Sequence, residues 1–98
     1  MGAIRDNNMI RKTIYKIILN KYLKKYESNG YQIISTTNTS FKIRYKNKEY
    51  LLEIKNEGKE FYLCLIPYKN SYFKTRIDIK ELDFKLNMIL FAVKENEV

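Results

Sequence analysis

Between about Asn8 and Glu27 the apolar positions recur at helical spacing. Ile10, Ile14, Ile17 and Ile18 set one face, joined by Tyr22, and Tyr15, Leu19 and Tyr26 broaden it. Lys12, Lys16, Asn20 and Lys24 fall every fourth residue and make a polar stripe. Ser28-Asn29-Gly30 predicts the stop, because glycine accepts the left-handed conformation that follows a helix.

The period then changes to two, and four strands are predicted: Tyr31 to Thr37, Phe41 to Lys46, Glu49 to Asn56 and Lys59 to Ile66. A two-residue loop at Asn47-Lys48 would set Lys46 against Glu49, Arg44 against Leu51 and Lys42 against Glu53. The other face would then pair Tyr45 with Tyr50, Ile43 with Leu52 and Phe41 with Ile54. A loop at Glu57-Gly58 continues the pattern, with Ile54 facing Phe61, Leu52 facing Leu63, Tyr50 facing Leu65, and Lys55 meeting Glu60 outside. The fourth strand is apolar on both faces, which predicts an interior position or a covered second face.

Pro67 ends that strand, and Tyr68 to Ile77 reads as a loop. Asp78 caps a second helix, with Glu81 placed for a capping box. Its buried stripe is expected to be Ile79, Leu82, Leu86, Ile89 and Val93, widened by Phe84, Met88 and Phe91. The fold class is therefore α+β. A single small domain over residues 1–98 has the order α-β-β-β-β-α. An antiparallel sheet, with strands 2-3-4 as a meander, is packed by the N- and C-terminal helices. Residues 1–7 and 95–98 are expected to fray.

Composition narrows the chemistry. Histidine is absent and Cys64 is the one cysteine, so the usual zinc ligand sets and an internal disulfide are excluded. Cys64 reads as a small buried hydrophobe in a reducing, cytoplasmic setting. Charges interrupt the N-terminal apolar positions, and no apolar run reaches the roughly 20 residues of a membrane span, so neither a signal peptide nor a membrane partner is expected.

The net charge is +8, which points to an anionic partner. Lysine, asparagine, isoleucine and tyrosine make up 47 of the 98 residues. AT-rich codons favour these residues, so genome composition accounts for part of the lysine. It does not account for the shortage of acids. Residues 1–27 hold seven bases against two acids and residues 28–77 nine against four, while residues 78–98 hold three against five.

No catalytic constellation emerges. The commonest general base is missing, and no glycine-rich phosphate loop or nucleophile elbow is present. Glu53-Ile54-Lys55 has the Glu-x-Lys form that some metal-dependent nucleases place on a strand. Its expected neighbours, Lys42 and Tyr62, supply no second acid. No catalytic residue, metal or cofactor is assigned.

Two basic groups are candidates for nucleic acid or another polyanion. Lys12, Lys16 and Lys24 on the first helix suit phosphates. Lys69, Tyr72, Lys74 and Arg76 interleave aromatics with bases, as single-stranded nucleic acid binding requires. The row Lys42, Arg44, Lys46 reads as edge protection. Leu51, Tyr62, Cys64 and Ile66 form an apolar strip on the outer sheet face, a protein interface if uncovered.

The element order is also that of double-stranded RNA-binding domains. This chain has one strand more, and Asp78, Glu81 and Asp83 stand where those domains carry a basic cluster. The run FKIRYKNKEYLLEIKNEG is faintly similar to the sheet of small RNA-cleaving toxins, without their preceding helical hairpin. In size and build the chain is similar to small phage proteins that block host defence nucleases.

The expected function is a non-enzymatic module that binds nucleic acid or an acidic protein surface. The alternative is an inhibitor or adaptor of phage or mobile-element type, acting by protein contact as a homodimer or in complex with a larger protein. A metal-independent ribonuclease toxin is the third reading.

Overall fold

A computed structural model describes the backbone of residues 2–96 and the side chains of residues 9–96. The order is α1 (Gly2–Lys25), β1 (Tyr31–Thr36), β2 (Ser40–Tyr45), β3 (Lys48–Glu57), β4 (Glu60–Tyr68), β5 (Ser71–Ile77) and α2 (Leu82–Asn96). The five strands form one antiparallel sheet in the order β1-β2-β3-β4-β5, so the chain is an α+β domain with one strand more than expected. The first helix starts at Gly2 rather than Asn8. Of the ends expected to fray, residues 1, 97 and 98 lie outside the described residues.

The extra strand is β5, in the stretch read as a loop. Phe73, Thr75 and Ile77 alternate inward and Tyr72, Lys74 and Arg76 outward, a period of two. Its pairing with β4 slips between Leu65 and Tyr68, where Pro67 has no N–H to give the ladder. With β5 in place β4 is interior, which explains why β4 is apolar on both faces.

Both central hairpins are displaced by two residues from the expected register. Arg44 faces Glu49, Ile43 faces Tyr50 and Phe41 faces Leu52, so the turn is Lys46-Asn47 and not Asn47-Lys48. Likewise Glu57 faces Glu60 and Ile54 faces Leu63, so that turn is Gly58-Lys59. A shift of two keeps every side chain on its own face, so the apolar set expected inside is inside.

Turn geometry makes the choice. Lys46 and Asn47 both have positive φ, 51° and 68°, as a type I′ turn demands. Lysine is a poor residue for that conformation. The pair Lys46→Asn with Asn47→Gly is expected to raise stability by about 0.5–1 kcal/mol, read from the urea midpoint.

Both helices pack on one face of the sheet, around Phe41, Ile43, Leu52, Ile54, Phe61, Leu63 and Leu65. From α1 the core takes Tyr15, Leu19 and Leu23, with the Tyr15 ring 5.2 Å from that of Phe61. From α2 it takes Leu82, Leu86, Ile89, Leu90, Ala92 and Val93. Asp78 caps the short 3-10 turn that leads into α2, its Oδ1 accepting from the Glu81 N–H at 3.0 Å. The Tyr31 hydroxyl donates to the Leu90 carbonyl at 2.9 Å, tying β1 to α2.

The expected helix faces are corrected here. Ile10, Ile14 and Ile17 of α1, and Ile79, Phe84 and Phe91, are exposed rather than buried. The reason is geometric. Five strands about 4.8 Å apart span roughly 19–24 Å, which two helices about 10 Å apart already fill. Each helix can bury only the stripe that points at the sheet, and no further layer of the described chain covers the rest.

Candidate functional site

The outer sheet face carries a mosaic of ion pairs. Glu49 receives Arg44 at 3.0 Å and Lys42 at 3.8 Å, and Lys55 lies 4.0 Å from Glu53. Glu57 and Glu60 face each other across the β3–β4 pair, a repulsion offset by Lys74 at 2.8 Å from Glu57 and Arg76 at 3.1 Å from Glu60. These hydrogen bonds hold both cations above their ordinary pKa values. The Lys74 ammonium also lies 4.6 Å from the centroid of the Tyr62 ring. β2 is not an edge, since β1 pairs outside it, so Lys42 and Arg44 do not serve as edge protection.

This mosaic bears on three sets of predicted residues. Lys74 and Arg76 share the outer face of β5 with exposed Tyr72, but their charges are engaged by glutamates. Lys69 sits at the β4–β5 turn, its backbone N–H donating to Asn96 Oδ1 at 2.7 Å and its ammonium 5.3 Å from the Tyr68 ring centroid. Of the apolar strip, Leu51 and Tyr62 are half-buried, Cys64 is buried and Ile66 alone is exposed. Burial pushes the Cys64 thiol up, against the pull of Lys55 and Lys74. Glu53 has Ser40 and Cys64 as its strand neighbours, not Lys42 and Tyr62, and neither is an acid.

The first-helix lysines lie on the other side of the molecule. Lys12 and Lys16 are half-buried on a flank of α1 and Lys24 is exposed. The sheet lies between the helix that carries them and the outer face that carries Tyr72, Lys74 and Arg76, so the structure does not bring the two basic groups onto one surface. Residues 9–25 hold six bases and no acid. Arg11 lies over the Phe61 ring at 4.5 Å and Lys25 over Tyr22 at 5.0 Å. Among the described residues, Lys12, Lys16, Lys21 and Lys24 have no ion-pair partner.

What sequence reasoning missed is the apolar character of the outward helical layer. Ile10 and Ile17 are 56% and 57% exposed, and Phe84 and Phe91 are 67% and 59% exposed. A groove of about 320 Å³ lies between α1 and Ile79, lined by Ile18, Lys21, Tyr22 and Lys25. A second, of about 300 Å³, runs from Tyr26 and Tyr31 to Phe91 and Lys94. Apolar side chains exposed on one side of a layer are a mark of a contact surface when they are contiguous. The available signal was an excess: more apolar positions per helix turn than one sheet-facing stripe can hold.

Comparison of the chain with protein-family models, with curated proteins and with solved structures gives no match. Among the described residues no helix is long and apolar enough to cross a membrane, and no group of three or more acids or cysteines is placed to hold a metal ion.

Proposed function

We propose that this chain is a non-enzymatic adaptor or inhibitor that works by protein–protein contact, with the outward side of its helical layer as the contact surface. One observation carries the reading. The helix segment 9–25, which combines six bases with no acid, also turns Ile10, Ile14 and Ile17 to solvent.

A phosphate backbone needs only the charge. Bases flanking an apolar stripe suit a protein surface that is itself apolar with an acidic rim. Nucleic acid draws less support. The bases interleaved with aromatics on β5 are already paired with Glu57 and Glu60 and face away from α1.

The test is fluorescence polarisation with labelled single-stranded RNA, duplex RNA and duplex DNA at low and near-physiological salt. The reading expects weak binding that ignores polymer type and vanishes with salt. Binding that survives physiological salt, is lost in Lys12→Glu/Lys16→Glu and is untouched by Ile10→Asp/Ile17→Asp would overturn it in favour of nucleic acid.

A further inference from the structure

We infer that the free edge of β1 takes up an extended acidic segment of a partner protein as a sixth strand. The inference goes beyond the helical-layer contact and shares with it only that the partner is a protein. It comes from a difference between the two edges of the sheet.

An edge strand presents unpaired N–H and C=O groups, which another extended chain can pair. The β5 edge is guarded. It carries Lys74 and Arg76, and the Lys85 ammonium donates to the Arg76 carbonyl at 2.9 Å. The β1 edge has no such guard. Residues 30–40 hold no charge and no proline, in a chain where 31% of residues are charged. Among the described residues, no strand or turn pairs with β1 on the side away from β2. The bulge between Ile33 and Ser35 ends the regular edge, so the part that can extend the ladder is Tyr31 to Ile33.

Main-chain pairing requires that the occupant be extended, and the flanks of the edge select its side chains. A residue added opposite Tyr31 points to the helical side, as Tyr31 does. There it meets the groove of about 300 Å³ whose aromatic walls are Tyr26, Tyr31 and Phe91. No residue of β2, β3, β4 or β5 lines this groove, which puts it at the β1 edge. Such walls suit an aromatic side chain. The neighbouring residues of the added strand point to the outer face. Arg44, opposite Gln32 in the ladder, and Lys42 share there the single carboxylate of Glu49. One positive charge is left over, and a strand spacing of about 4.8 Å puts it within reach of acids on the new strand. A second copy does not meet this requirement, since its own β1 carries no acid.

The probe is the labelled peptide acetyl-Glu-Val-Glu-Phe-Glu-Val-Glu-amide, titrated into the full chain at near-physiological salt, with amide exchange followed by NMR. Saturable binding below about 1 mM is expected, with slowed exchange in β1 and none in β5. N-methylation of the amides along one edge of the peptide should abolish binding, and along the other edge should leave it, because a strand pairs through one edge at a time. Lys42→Glu/Arg44→Glu should weaken binding about 10- to 100-fold with an unchanged circular dichroism spectrum. Ile10→Asp/Ile17→Asp should leave it unchanged.

The inference is overturned by a peptide that does not bind at 1 mM, by binding that tolerates N-methylation on either edge, or by protection that appears in β5. Equal binding of the peptide with lysine in place of every glutamate also overturns it. Protection of β1 that grows with protein concentration alone gives the edge to a second copy and ends the acidic segment. The helical-layer reading fails separately, on salt-resistant nucleic acid binding, which leaves the peptide titration as it is.

Discussion

Leu86→Ala is expected to lower the free energy of unfolding by about 2–5 kcal/mol, while Phe84→Ala, two residues away on α2, changes it by less than about 0.5 kcal/mol. Leu86 is fully buried beneath the helical layer. Its truncation loses the transfer free energy of the removed carbons and leaves a cavity that packed neighbours cannot close. Phe84 lies on the opposite side of the same helix, two-thirds exposed, and removing its ring withdraws little from the core.

A domain of this size holds only about 5–15 kcal/mol in all, so Leu86→Ala moves the urea midpoint by a large fraction of its value. Equal losses from the two variants would mean that the outward side of α2 is core, and the contact surface would lose its basis.

Alkali is expected to destabilise the fold between pH 10 and about 12, through Tyr31. Burial, with the Tyr45 and Tyr26 hydroxyls beside it, pushes its phenol from the ordinary 10.0 up to about 12. The ring stacks on Tyr45 at 4.6 Å between centroids, and its hydroxyl donates to the Leu90 carbonyl.

The folded state keeps the proton where the unfolded chain has released it. This contribution to stability is therefore complete below pH 10 and is lost as pH rises through about 12. The loss is roughly 2–3 kcal/mol. Denaturant midpoints at a series of alkaline pH values read it directly. Tyr31→Phe should cost about 1 kcal/mol at neutral pH and flatten the alkaline decline. A decline as steep in Tyr31→Phe as in the native chain would assign the effect elsewhere.

Much of the fold was legible in the residues, because period decides type. The isoleucine and tyrosine spacing of 10–26, the alternation of 41–45 and 50–65, and the Asp78 cap each have a local physical cause. The missing strand is instructive. Residues 71–77 alternate as well as their neighbours do, but their outward positions are Tyr, Lys and Arg, which equally suit a binding loop, and Pro67 just before them has no N–H for a ladder.

The helix faces failed for another reason. Sequence spacing says that Ile14 and Tyr15 both belong to apolar stripes, but only the packing of two helices on one sheet decides that Tyr15 goes in and Ile14 stays out. The ion pairs of Lys74 and Arg76 were equally unreadable, because they depend on a strand not expected to exist. The two-sided character of the helices became visible only once the sheet was seen to have room for one side of each.

The two-residue displacement of both hairpins has a consequence for how this chain chooses a single native state. The expected and the observed pairings bury the same side chains, so burial leaves them nearly degenerate. What separates them is local: which two residues of 46–48 turn left-handed, and whether Gly58 opens its turn or closes it. Uniqueness of the native ladder thus rests on two dipeptides rather than on the core, and any frustration in this landscape is concentrated at those two corners.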